Sequence, residues 1–300
     1  MRILIPVDAS SFSKSAIAFL ASRTTLIIHQ PDVELLNVQY PVSARVTRGA
    51  GKDLVQSFQD SEANKVLKPA LAMLKRAGVR ARAKYVVGFP GSAVAQIAAD
   101  ATADLIIMGS HGQTGLRSLL FGSVTSVVLA SCDSPLLVLR GGIAPKKDSL
   151  KVGIALDGSK YGIAAVRFVA KHQDLFGAAP AVTLIHVVPD LLNLVVPGFF
   201  GDTPVPGFKP EQVEAMQLAA FEQAMAPARK LLKRTGLRAT EVRLSGNNPG
   251  DEIAAYAKKN KLDILALGSH GGGAPRSGML GSVAARVAAN CPNPLLFIKK

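Results

Sequence analysis

Tryptophan is missing from this chain of 300 residues, tyrosine occurs four times, and the only two cysteines are Cys132 and Cys291. Two thiols make neither a disulfide framework nor a Cys-x-x-Cys redox pair, which agrees with a reducing compartment such as the cytoplasm. Five histidines stand apart from cysteines and carboxylates at metal-ligand spacing, so no zinc-type centre is expected, and His29, His172 and His186 read as ordinary surface or core residues. No run of about 18 apolar residues exists, which argues against a membrane span. Pro6 and Asp8 interrupt the opening apolar run, which argues against a signal peptide. Neither a Gly-x4-Gly-Lys-Ser/Thr phosphate loop nor a Gly-x-Ser-x-Gly nucleophile elbow is present. Acidic residues are scarce as well, 21 against 35 lysines and arginines, for a net charge of +14. The excess is spread evenly: basic against acidic residues number 17 to 10 through Asp148 and 18 to 11 after it, +7 in each half. Such a balance favours polyanionic ligands. Without an aromatic-rich RNA-binding motif or a helix-turn-helix, it does not indicate a specific nucleic-acid partner.

What the chain does have is a glycine-serine pattern written twice. Gly109, Gly112, Gly122 and Ser123 form Gly-x2-Gly-x9-Gly-Ser, and Gly268, Gly271, Gly281 and Ser282 repeat it 159 positions later. The inserts agree too, since Arg117 is answered by Arg276, and both guanidinium groups are candidate phosphate contacts. Each copy follows a short apolar run that reads as a buried strand ending in a turn. Glycine there lets main-chain N–H groups approach an anion, and a helix starting at the Gly-Ser step offers further unpaired donors. The bland alternatives are tight turns for the glycines, helix-capping support for the aspartates Asp8 and Asp157, and solvated surface charge for Arg117 and Arg276.

The repeat extends over nearly the whole chain. Residues 3–8 align with 152–157 at an offset of 149, and Pro90-Gly91 with Pro249-Gly250 at 159. The second copy therefore has its extra residues after Val187, in a Pro-, Gly- and Phe-rich stretch at 189–210 that reads as a long loop. Residues 141–149 have linker composition, which sets expected domains at 1–143 and 150–300. Within copy one, strands are expected near 2–8, 33–39, 80–87, 104–109 and 135–140. Helices are expected near 12–22, 53–77, 91–101 and 122–132, the second with an apolar series from Leu54 and Phe58 to Leu74. Strands alternating with helices predict an α/β fold, and ligands in such sheets lie beyond the strands' carboxyl ends, where Asp8 and Gly109 fall.

On these residues the chain resembles the universal stress proteins, in their tandem two-domain form and in the branch that binds ATP. The resemblance rests on the duplicated glycine pattern, the strand-one aspartates and the closing Pro-Leu-Leu strands, and it covers essentially the whole length. It implies two Rossmann-like, adenine nucleotide alpha hydrolase-like domains, each a five-stranded parallel sheet flanked by helices. It also implies ATP, with or without Mg, as the ligand. Carried over, it places adenine and ribose near Pro6, Asp8, Val38 and Met108, with Gly109, Gly112, Gly122, Ser123, Val124 and Thr125 around the phosphates and ribose. The counterparts in copy two are Ala155, Asp157, Val187, Leu267, Gly268, Gly271, Gly281, Ser282, Val283 and Ala284. A carboxylate suits ribose hydroxyls, and the hydroxyls of Ser123 and Thr125 suit phosphate oxygens. Ala284 in place of Thr125 then predicts that copy two is the weaker site.

The resemblance further implies a stress-response regulator that signals ATP through contacts with a protein partner. Single-domain relatives pair through their last strands, so residues 135–140 are expected against 294–299, and a further homodimer is compatible. A slow ATP hydrolase or nucleotidyl-transfer enzyme of the same fold is the alternative, although no general base or metal-binding carboxylate cluster is evident near the glycines. A nucleic-acid-associated basic protein is the third reading, supported by charge alone.

Overall fold

A computed structural model describes residues 1–110, 121–140, 144–191, 209–271 and 280–299. In chain order the first half runs β1 (Arg2–Pro6), α1 (Ser11–Ala21), α2 (Thr24–Ile28), β2 (Asp32–Gln39), α3 (Ala44–Ala50), α4 (Lys52–Arg76), β3 (Ala81–Val87), α5 (Pro90–Asp100), β4 (Leu105–Gly109), α6 (Ser123–Ser131) and β5 (Leu136–Leu139). The second runs β6 (Lys151–Ala155), α7 (Lys160–Lys171), β7 (Ala181–Val188), α8 (Pro210–Thr235), β8 (Ala239–Ser245), α9 (Pro249–Lys259), β9 (Ile264–Gly268), α10 (Ser282–Asn290) and β10 (Leu295–Ile298). A single 3-10 turn, Gln173–Leu175, follows α7.

Strands buried on both faces lose the alternation of a half-exposed sheet and become continuously apolar. In β1, Ile3 and Ile5 enter one core layer and Leu4 the other; in β4, Leu105 and Ile107 face one layer and Ile106 and Met108 the opposite one. Helices α1, α4, α7 and α8 cover the first layer, and α5, α6, α9 and α10 the second. Each layer runs across both halves of the chain.

The strand order is β3-β2-β1-β4-β5-β10-β9-β6-β7-β8. Each half is a parallel set of five, and the two sets join where β5 and β10 pair antiparallel, Leu295 opposite Val138, Leu296 opposite Leu137 and Phe297 opposite Leu136. Ten strands thus form one sheet, and the last strand of each half has no free edge. Strand order reverses between β1 and β4 and again between β6 and β9, which opens a crevice at their carboxyl ends in each half.

Two sequence expectations need adjustment here. The apolar series of α4 is buried at Leu67, Ala70 and Leu74, but Leu54 and Phe58 are 63% and 60% exposed. Helical spacing marks one face, and nothing in the sequence tells whether the first turns of that face have a neighbour. The short helices α2 and α3 lie outside the strands and helices expected from the sequence. Most of the long loop (192–208) and part of the linker (141–143) lie outside the described residues, as do three candidate site residues, Gly112, Arg117 and Arg276.

Candidate functional site

The second crevice holds a cavity of about 380 Å³, within the range of small-ligand sites. Every described copy-two candidate lines it: Ala155, Asp157, Val187, Leu267, Gly268, Gly271, Gly281, Ser282, Val283 and Ala284. Parallel pairing of β6 with β9 sets Ala155 beside Leu267, so the two strand ends form the floor. The start of α10 forms one wall, and Val187 at the end of β7 with Ile253 of α9 forms an apolar one.

The wall at α10 has a particular chemistry. Gly281 is the N-cap residue, with φ −60° and ψ 157°, and it offers no side-chain cap. The first intrahelical bond is donated by Ala285 to Gly281, so the N–H groups of Ser282, Val283 and Ala284 have no acceptor within the helix. All three residues line the cavity, and the helix brings no acidic residue to its first turn. Such an end attracts anions through its donors and its partial positive charge. The segment entering it is pinned, because Gly281 N–H donates to the Ser269 carbonyl at 2.8 Å and Ser269 N–H to Ile298 at 2.8 Å.

Asp157 stands exposed at the rim, where its Oδ1 accepts the Ser159 N–H at 2.9 Å. Ser159 in turn caps α7, accepting from Gly162 N–H at 3.3 Å. A Cβ added to Gly271 would lie 3.1 Å from Asp157 Oδ2, and one added to Gly281 would lie 3.2 Å from His270 Cα. Both glycines keep the cavity open against tight neighbours.

The first half repeats this frame. Gly122 caps α6 with φ −63° and ψ 159°, again without a side-chain cap, and its N–H donates to Ser110 at 2.7 Å. Ser123, Val124 and Thr125 form the first turn. Pro6 ends β1, Asp8 follows it, Val38 lies in β2, and Met108 and Gly109 end β4.

Three findings revise the sequence reading. Thr125 is 2% exposed and donates its one hydroxyl proton to the Gly109 carbonyl at 3.0 Å. It ties α6 to β4 and has no proton left for a phosphate, so Ala284 removes no phosphate donor from copy two. Gly109 and Gly268 are also required by packing: a Cβ on either would lie 2.4 Å from Cβ of Phe12 or 2.6 Å from Cβ of Tyr161, at the start of α1 or α7. The capping role considered for the aspartates is real, since Asp8 Oδ1 accepts the Ser10 N–H at 3.0 Å.

His186, read from the sequence as an ordinary surface or core residue, also lines the second cavity. Its Nδ1 pairs with the Leu156 carbonyl at 2.7 Å, and the aligned Asn37 donates to the Val7 carbonyl at 2.9 Å. Different side chains at one aligned position thus hold the aspartate-bearing turn in each half. Pro249, Ile253, Gly162 and His270 join the lining. The repeated Pro-Gly step at the start of α5 and α9 was the one visible signal for that wall. No group of three or more metal-binding side chains occurs among the described residues.

Fold and crevice together define a doubly wound α/β protein in which a strand-end crevice facing an uncapped helix start occurs in each half. The profile of the universal stress protein family matches residues 1–140 and 150–299, and the chain belongs to that family. A universal stress protein of Mycolicibacterium smegmatis is 24% identical over 301 residues, covering 99% of this chain and 96% of its own. One from Methanocaldococcus jannaschii is 30% identical over 151 residues, 49% of this chain and 84% of its own. The crystal structure of a universal stress protein from Archaeoglobus fulgidus superposes with a TM-score of 0.68 at 20% identity, covering 99% of this chain and 98% of that one, a likeness of fold.

Proposed function

We propose that each half binds an adenine nucleotide, ATP in the first instance, and that the protein is a cytoplasmic stress-response regulator whose partner contacts depend on that nucleotide. The observation that supports this most directly is the uncapped start of α10, with three donors lining a cavity that also offers an apolar wall and a carboxylate. Phosphates suit the helix start, adenine suits Val187, Ile253 and Leu267, and ribose hydroxyls suit Asp157. Any Mg would be held through the phosphates, as is usual for that ion. Nucleotide regulates a partner only where it binds one conformation better than another, so a change in shape or in loop order on binding belongs to the proposal. The domain limits 1–143 and 150–300, and a homodimer of the whole chain, belong to the same reading.

Denaturing freshly purified protein should release an adenine nucleotide at close to one or two per chain. Calorimetry should then lose one site in Gly281→Val, whose branched side chain enters the cavity at the helix start, and the other in Gly122→Val. Unchanged stoichiometry in both variants would count against the assignment.

A further inference from the structure

Resting on the nucleotide reading above, we infer that the two halves read the ligand's sugar differently: Asp157 takes both hydroxyls of a vicinal diol, whereas Asp8 has one oxygen left for it. The caps that follow the two aspartates have the same backbone form. Ser10 and Ser159 cap α1 and α7 with φ/ψ of −72°/159° and −71°/162°. The difference is one side chain three residues on, where Ser13 in the first half is matched by Gly162 in the second.

Ser13 is 7% exposed, and its hydroxyl accepts the Asp8 N–H at 2.9 Å and donates to Asp8 Oδ1 at 2.5 Å. Ser10 sends both its hydroxyl, at 2.5 Å, and its N–H, at 3.0 Å, to the same Oδ1. Three donors on one oxygen exhaust its lone-pair directions, so a ligand meets only Oδ2. The second half lacks the Ser13 hydroxyl. Among the described residues Asp157 Oδ1 accepts one N–H, from Ser159, and the space beside it is lined by Gly162 and opens into the cavity. A Cβ at Gly162 would stand 3.2 Å from Oδ1, which is where a serine there would close the carboxylate. With both oxygens open, Asp157 can receive a cis diol bidentately, one hydroxyl to each oxygen.

The second half is thereby the ribonucleotide-selective site, and the first tolerates a 2′-deoxy sugar. This also reverses the ranking expected from Ala284. The test is calorimetric titration with ATP and with 2′-deoxy-ATP, using Gly122→Val to isolate the second site and Gly281→Val to isolate the first. Loss of one hydroxyl bond to a carboxylate should weaken binding to the second site about tenfold or more, and binding to the first by about twofold at most. Gly162→Ser should bring the ATP affinity of the second site down toward its deoxy value, and Ser13→Gly should give the first site a preference for ATP. These two variants leave the starts of α6 and α10 intact and can be read by a two-site fit in the otherwise native chain, should the valine variants fail to fold. Two occupied sites with the same ATP preference, or a Gly162→Ser protein that still discriminates as before, overturn the inference and leave nucleotide binding standing. If neither nucleotide binds the native protein, both the inference and the function proposed above fall.

Discussion

Single side chains in the pockets do two kinds of work that the sequence pattern merges. Thr125 looks like a phosphate ligand from its place after Gly-Ser, yet its hydroxyl belongs to the Gly109 carbonyl. Thr125→Val should therefore lower stability by about 1 kcal/mol, the usual loss for a buried hydrogen bond. ATP affinity at the first site should stay within about twofold by the same reasoning, since no ligand contact is removed. Urea unfolding and calorimetry on one preparation check both halves of that statement. A large loss of affinity with unchanged stability would return Thr125 to the phosphates. Gly268→Ala makes the complementary case. A methyl group there meets Tyr161 Cβ at 2.6 Å and its backbone carbon at 3.0 Å, a collision between β9 and α7 that neither element can relieve by a rotamer change. Overpacking of this kind costs about 1–3 kcal/mol, and a fall in the urea midpoint of that size with intact nucleotide stoichiometry is the expected result.

At the scale of elements, the two halves cap each other's last helices. The Arg140 guanidinium, beyond β5, donates to the Ala288 carbonyl near the end of α10, while Lys299 Nζ, beyond β10, donates to the Ala130 carbonyl near the end of α6 at 3.3 Å. Cations at helix C-termini satisfy orphan carbonyls and oppose the negative end of the dipole. Burial pushes the Arg140 guanidinium below its ordinary pKa, and its carbon lies 5.5 Å from the Phe121 ring centre. Arg140→Met, which keeps the apolar stem, should cost about 0.5–2 kcal/mol, read as a lower urea midpoint. No change at all would mean that this cap adds nothing to what the β5–β10 pairing, Lys299 and the shared core layers supply. The strands themselves were legible because duplication supplied each one twice and because the central β4, β5, β9 and β10 are short, buried and apolar, whereas the outer β3 and β8 carry polar residues and are only partly buried. The pairing of β5 with β10 followed from the resemblance and is met in the register. What the sequence hid is set by partners distant along the chain. Exposure of Leu54 and Phe58 depends on what does or does not cover α4, and the need for glycine at 109 and 268 depends on Phe12 and Tyr161. The hydroxyl of Thr125 and the ring of His186 find carbonyls that no local pattern announces.

Across the whole molecule, the seam between halves places different residues at equivalent points. Arg23, 2% exposed, lies over Phe19 with its carbon 5.1 Å from the ring centre, and it donates to the linker carbonyls of Pro145 at 3.2 Å and Lys147 at 2.6 Å. Its counterpart, His172, packs against Phe168 with ring centres 4.8 Å apart and the planes inclined at 50°. Burial, chiefly, and then Lys171 and the N-terminal amine hold the His172 imidazole below its ordinary pKa, with Asp104 and Asp174 opposing. Asp104 belongs to the first half, so the group senses the seam. A folded-state pKa below the unfolded value means that the unfolded chain takes up the proton first. The stability tied to neutral His172 is thus fully present above the unfolded pKa, about 6.5. It is lost as pH falls from there through the folded-state value. Urea midpoints measured across that window should decline toward acid in the native protein and decline less in His172→Gln, the two curves converging in shape above it. Parallel curves throughout would show that the proton on His172 is bound equally in both states, and that the acid response of the seam arises elsewhere.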